Sequence, residues 1–267
     1  VEKLKMLVSM GRGGVGKSSF IALAAKYFIE AGETPLLLVD VDPDQSLGEM
    51  VGVDLKSAGI LSISELLYET FLEEGGTAAG MPPSERIEAK IWEKGLYEGE
   101  HFDFMSIGTK YIEGCYCLPD AALKGALERL TKNYKYVLID SPAGLEQLNR
   151  RITPKVNDIF TILDPSRKSF EHVKRAYKII QSVNIKFDNI YLVGGYEFPN
   201  ELGEKAEEET GLKYIGKIEY DEELRSYVLQ GKSLLELPSN SPAYVSVKRI
   251  LEKAGYISLK QLLFPES

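Results

Sequence analysis

Eight consecutive residues near the start have the types and spacing needed to hold a row of phosphates: Gly11-Arg12-Gly13-Gly14-Val15-Gly16-Lys17-Ser18. They satisfy the pattern G-x-x-x-x-G-K-[ST]. Glycines let the backbone curl so that successive N–H groups point at phosphate oxygens. Lys17 supplies a positive charge for the β- and γ-phosphates of ATP or GTP, and the Ser18 hydroxyl is placed to ligate Mg²⁺. Ser19 is counted with the loop as a nucleotide-binding residue. A plain tight turn between strand and helix would need the glycines but not the Lys-Ser pair.

Two carboxylates extend this chemistry. Asp140 ends an apolar run, Tyr136 to Ile139, where it would hold Mg²⁺ through water. Gly144 follows four residues later, and its backbone could meet a γ-phosphate. Asp42 follows a second apolar run, Pro35 to Val39, from which it could ligate Mg²⁺ through water or orient an attacking water. The competing reading for either aspartate is a carboxylate that caps a turn. Their places at the carboxyl edge of a parallel sheet favour ligand binding.

Cys115 and Cys117 are the only cysteines. Two thiolates make half of a tetrahedral site, and two copies of the chain would complete it across a two-fold axis. Thiolates suit Zn²⁺, Cu(I) or an iron–sulfur cluster, and Ni²⁺ with suitable geometry. From spacing alone, packing as two small apolar residues, or a chance spacing, is the favoured reading. The pair precedes a helix expected to start near Pro119, whose N-terminus would favour the ligating thiolates.

The elements that must position these residues are legible in the apolar pattern. Met6-Leu7-Val8 predicts a strand, and Ile21, Ala24, Ala25 and Phe28 a helix ending near Gly32. With the strand ending before Asp40 this is a βαβ unit. Residues from about 44 to 100 read as a helical excursion. Further strands are expected at Phe102–Ile107, Tyr136–Ile139, Ile159–Leu163, Ile190–Val193 and near Tyr214, with helices at Leu123–Leu130 and Phe170–Ile180. The alternation predicts one α/β domain over residues 1–267, a doubly wound, mostly parallel sheet with helices on both faces.

Bulk properties set limits. The net charge of −8 argues against a broad nucleic-acid footprint, and no apolar run is long enough for a membrane span. The first residues lack a secretory pattern and cysteines are few, so a cytoplasmic, reducing compartment is expected.

Arg12-Gly13-Gly14-Val15-Gly16-Lys17-Ser18 resembles the deviant Walker A loop of the MinD, ParA, ArsA and nitrogenase-iron-protein class of P-loop ATPases. Asp40-Val41-Asp42-Pro43-Asp44, with Ser46-Leu47-Gly48, is similar to the first switch of that class. The resemblance implies ATP hydrolysis, slow without a partner, and a homodimer with nucleotide between its subunits. It also implies a catalytic contact from the loop's first basic residue, here Arg12 in place of lysine, to the partner's ATP. Lys17 and Asp42 are the other catalytic candidates.

Within the class, Gly114-Cys115-Tyr116-Cys117 and the stretch from Asp140 to Arg151 are similar to the CooC-type ATPases, which mature the nickel site of carbon monoxide dehydrogenase. That resemblance implies Ni²⁺ or Zn²⁺ at the cysteine pair and a client metalloenzyme like carbon monoxide dehydrogenase. The chain departs from the class after Val193, where Gly194-Gly195-Tyr196-Glu197 replaces an asparagine that reads adenine. Two alternatives remain open: a MinD/ParA-like positioning switch acting on membrane or DNA, and an iron–sulfur-carrying reductase.

Overall fold

The computed structural model describes residues 4–42, 44–70, 82–108, 117–142, 155–182 and 185–256. Strands form at Lys5–Gly11 (β1), Leu36–Asp40 (β2), Tyr97–Glu98 (β3), Phe102–Ser106 (β4), Tyr136–Asp140 (β5), Asp158–Leu163 (β6), Asn189–Gly194 (β7) and Lys213–Lys217 (β8). They join in one sheet in the order β3-β4-β2-β5-β1-β6-β7-β8. Every pairing is parallel except β3 with β4.

The central strands are apolar along their length because both faces are covered. In β1, Leu7 points to one face while Met6, Val8 and Met10 point to the other. The Leu7 face packs against α1 (Lys17–Glu30) and α9 (Pro242–Lys253) through Phe20, Phe28, Val247 and Ile250. The opposite face is covered by α3 (Ile63–Tyr68), α4 (Pro83–Lys90), α5 (Cys117–Leu130) and α6 (Arg167–Ser182). Shorter helices are α2 (Ser46–Met50), α7 (Leu202–Thr210) and α8 (Glu222–Leu229). This is the doubly wound, mostly parallel arrangement expected.

Three details differ from the sequence reading. The excursion over 44–100 carries helices as expected, but it ends in the antiparallel edge strand β3. A turn closed by Gly99 N–H donating to the Phe102 carbonyl at 3.1 Å folds β3 back on β4. Strand β1 runs on from Val8 to Gly11, because the hydroxyl of the polar Ser9 finds a buried partner in Asp140. Helix α5 begins near Pro119 as expected, but already at Cys117, so Cys117 is the helix's first residue and does not precede it. A proline in the first turn costs no hydrogen bond.

Beyond α9, Tyr256 closes the bottom of the sheet. Its hydroxyl donates to Asp158, the first residue of β6, and its ring meets Phe28 edge-on with centroids 5.7 Å apart. The ammonium of Lys5, at the start of β1, lies 5.2 Å from the Tyr256 ring centroid.

Candidate functional site

The phosphate-binding sequence forms the turn between the end of β1 and the start of α1, at the carboxyl edge of the sheet. Two of its glycines are required by geometry. Gly11 has φ 148°, and a Cβ there would lie 2.5 Å from the Ile162 carbonyl oxygen. Gly16 has φ 101° and caps α1 without any side-chain acceptor, which leaves the first N–H groups of α1 facing the loop.

Lys17 is buried. Its ammonium donates to the Arg12 carbonyl at 3.2 Å and stands 3.8 Å from Asp42 Oδ2. Ser18 Oγ donates to Asp140 Oδ2 at 2.5 Å and lies 2.9 Å from Ser46 Oγ at the head of α2. Ser9 Oγ donates to the other carboxylate oxygen of Asp140 at 2.9 Å. Four of the expected residues, Lys17, Ser18, Asp42 and Asp140, therefore converge on one point. Ser19 lies beside them, its hydroxyl directed at Met50 Sδ at 3.8 Å.

Asp40 stands directly beside Asp140 in the β2–β5 register. Burial, reinforced by the Asp140 charge, pushes the Asp40 carboxyl up to about 8, against the pull of two backbone donors. Those donors are Asp42 N–H at 3.0 Å and Leu47 N–H at 3.0 Å, so Asp40 anchors both ends of the segment that carries Asp42 and Ser46. Asp140 is also raised by burial, opposed by the hydroxyls of Ser18 and Ser9 and by Lys17. The Asp140 carboxyl beside the Ser18 hydroxyl and the nearby Asp42 is a hard oxygen donor set, and it fits Mg²⁺.

Arg12 faces the other side of the loop. Its guanidinium donates to Asp164 Oδ2 at 2.9 Å and to Ser166 Oγ at 3.1 Å. Burial would raise Asp164, but hydrogen bonds from Ser166 and the Arg12 charge outweigh it and hold the carboxyl below its usual range. Sequence reasoning missed both partners. The signal was there: Asp164-Pro165-Ser166 directly follows the apolar run of β6, at the same sheet edge as Asp140.

A cleft of about 600 Å³ opens from Lys17 and Ser18 toward Tyr196, Ile218, Tyr220 and Leu224. Tyr196 was noted only as part of a departure from pattern. It leans over the loop, with its hydroxyl donating to the Gly14 carbonyl at 3.2 Å.

Gly144 and Cys115 lie outside the described residues, and of Cys117 only the backbone position at the head of α5 is described. Among the described residues, no group of three or more His, Cys, Asp or Glu side chains is arranged to hold a metal ion. None of the described helices is long and apolar enough to cross a membrane.

The AAA domain family matches residues 5–192 of this chain. An uncharacterized ATP-binding protein of Methanocaldococcus jannaschii is 36% identical over 245 residues, covering 91% of this chain and 95% of that protein. The carbon monoxide dehydrogenase accessory protein CooC of Rhodospirillum rubrum is 24% identical over 254 residues, covering 92% of this chain and 95% of that protein. Among solved structures, the MinD cell division protein of Aquifex aeolicus superposes with a TM-score of 0.66 at 17% identity, covering 95% of this chain and 98% of that one.

Proposed function

The chain belongs to the AAA domain family and has the P-loop ATPase fold of the MinD/ParA class, and from that premise we propose a dimerising Mg-ATPase whose nucleotide state controls the holding and delivery of a metal ion. The observation that carries the switching role is the tie between Ser18 and Ser46. It joins the phosphate loop to α2, and Asp40 holds the same segment from the sheet through Asp42 N–H and Leu47 N–H. A change at the terminal phosphate would thereby reach the start of α2, whose Leu47 is packed in the core.

In this reading Lys17 leaves the Arg12 carbonyl and Asp42 for the β- and γ-phosphates. The loop N–H groups and the start of α1 hold the remaining phosphate charge. Ser18, with Asp140 and Asp42 acting through water, would hold Mg²⁺, which when bound neutralises charge on the phosphate oxygens. Asp42 orients the attacking water. Arg12, released from Asp164, reaches the nucleotide of a second copy, where a planar guanidinium can bridge two phosphate oxygens.

The metal role is supported by the Cys115–Cys117 spacing, by the place of Cys117 at the head of α5, and by the likeness to the Rhodospirillum rubrum accessory protein. The cargo is a thiolate-binding ion, Ni²⁺ or Zn²⁺, taken up where two cysteine pairs meet across a dimer and released to a client metalloenzyme when hydrolysis parts them. Release requires that the two dimer states differ in metal affinity.

The test is metal content and particle size, with and without ATP and Mg²⁺. Replacing both cysteines by alanine should remove about one ion per dimer and leave nucleotide binding intact. Unchanged metal content in that variant sinks the metal role. Co-sedimentation with vesicles or DNA in the presence of ATP would replace it with a positioning role.

A further inference from the structure

We propose that a second cavity, on the other side of α2 from the phosphate loop, binds a small organic cation of the alkylammonium or guanidinium class, and that its occupancy is coupled to nucleotide binding through α2. The cavity has a volume of about 950 Å³ and lies between α2, the end of β4 and the chain from Gly52 to Ser62. That is ample for a small molecule. The coupling rests on the nucleotide-binding reading above; the cation site does not.

Helix α2 is a wall shared by two cavities. Ser46 and Met50 line the nucleotide cleft, whereas Gln45, Gly48 and Glu49 line the second cavity. Residues four apart lie on one helix face, so each ligand would meet its own side of α2. Gly48 brings the helix close to the cavity floor: a Cβ there would stand 3.3 Å from the Phe104 ring and 3.1 Å from the Val53 carbonyl oxygen. A ligand held by Gln45 and Glu49 therefore bears on the same segment that places Ser46 Oγ 2.9 Å from Ser18 Oγ.

The lining sets the ligand chemistry. Ser106, at the end of β4, is fully buried, and its hydroxyl has no hydrogen-bond partner among the described residues. A buried hydroxyl of this kind on a cavity wall points to a partner supplied from the cavity. Ser106 also stands beside Asp40 in the β2–β4 register, the residue that anchors α2 through Leu47 N–H. Among the charged groups, Lys56 is offset by the neighbouring Asp54, which also accepts from the Ser57 hydroxyl. Glu65 accepts from the N–H and the hydroxyl of Ser62, both through Oε2. Neither Glu49 nor Glu65 is paired with a cation among the described residues. Two carboxylates thus face the cavity without a counter-charge, above an apolar floor that includes Phe104 and Ile60. An alkyl chain with a cationic head satisfies both surfaces, and its N–H groups can donate to the carboxylates and to Ser106.

The experiment is calorimetric titration of the intact chain with agmatine, which carries a guanidinium and an ammonium at the ends of a short alkyl chain, and with spermidine. Succinate and 1,4-butanediol serve as anionic and neutral chains of similar length. Both cations should bind and neither control should. Glu49→Gln should weaken the cations by about ten-fold. Ser106→Ala should weaken them by about three-fold and leave the unfolding midpoint unchanged, since it breaks no bond within the chain. With Mg²⁺ and the imido analogue of ATP at saturation, the agmatine Kd should change by about five-fold or more, and agmatine should change the analogue's Kd by the same factor.

Failure of both cations to bind overturns the proposal, as does equal binding of either control. So does a Glu49→Gln protein that keeps the parent affinity, because the cations would then be answering only the net charge of −8. An agmatine Kd unmoved by the bound analogue overturns the coupling. If the analogue does not bind the parent chain, the nucleotide reading fails and the coupling with it, while Glu49→Gln still decides the cation site.

Discussion

Replacing Asp164 with asparagine should strengthen dimerisation. In the free chain Arg12 is held by Asp164 at 2.9 Å and by Ser166 at 3.1 Å, yet the proposed dimer needs Arg12 to reach across to its partner. The two holds cannot be occupied at once. Asparagine keeps an oxygen for the Ser166 N–H that Asp164 Oδ1 now accepts at 2.8 Å, so the local turn survives while the charge is lost. The side chains of Arg12 and Asp164 are 42% and 23% exposed, so solvent screens the pair well below the value of a buried one. About 1 kcal/mol per pair is reasonable for that exposure. Two pairs must open per dimer, which gives about 2 kcal/mol, or roughly a 30-fold gain in the association constant.

Sedimentation equilibrium with Mg²⁺ and a non-hydrolysable ATP analogue measures that gain directly. Acid should imitate the substitution. The folded-state carboxyl of Asp164 titrates below its ordinary range, so the pair is intact at neutral pH and is lost only as pH falls below the ordinary carboxylate range, through that lowered value. An association constant unchanged within about three-fold in a folded Asp164→Asn protein would refute the reasoning, since Arg12 would then not have to leave Asp164.

Three further outcomes follow from the same geometry. Asp42→Asn should keep nucleotide affinity within a few-fold while lowering phosphate release by roughly 100-fold, the scale of a lost group that positions or activates water; unchanged turnover excludes that role. Gly11→Ala should cost at least about 2 kcal/mol in denaturant unfolding, because φ 148° is strained for alanine and its Cβ would stand 2.5 Å from the Ile162 carbonyl oxygen. Asp221→Ala removes the cap of α8 and a tie to α9, costing about 1–3 kcal/mol. Burial would raise Asp221, but its bonds from Ser241 and three backbone N–H groups lower it, so this contribution is present above about pH 4 and is lost as pH falls through the lowered value. Unfolding curves of parent and variant should therefore converge in acid; a constant gap would mean that the carboxylate charge is not involved.

The residues that sequence reasoning located best are those whose chemistry is local. Gly11 to Ser18 lie in one turn, and strand ends at Asp40 and Asp140 are marked by an abrupt change from apolar to acidic. The partners of those residues were much harder to find. Asp164 lies 152 positions from Arg12, and nothing but sheet order brings the ends of β1 and β6 together. Ser9 lies past the predicted strand Met6–Val8, and only the pairing with β5 places Asp140 beside it. The role of Asp40 is of the same kind: its anchoring bonds to Asp42 and Leu47 depend on how the chain turns after β2, which no periodicity encodes. The edge strand β3 was hidden because two residues carry no periodic signal, and its pairing depends on the Gly99 turn.

Tyr256 fixes α9 to the foot of the sheet. Its hydroxyl is bonded to Asp158 at the foot of β6, while the phosphate loop begins at the head of the neighbouring β1. A six-residue strand separates those edges by roughly 20 Å. A fluorophore or immobilising tether placed on Lys5, exposed at that end of the sheet beside the Tyr256 ring, therefore sits on the edge away from the phosphate loop. A sensor chip loaded through that end would present the nucleotide edge, with Arg12 and Tyr196, outward to the solution.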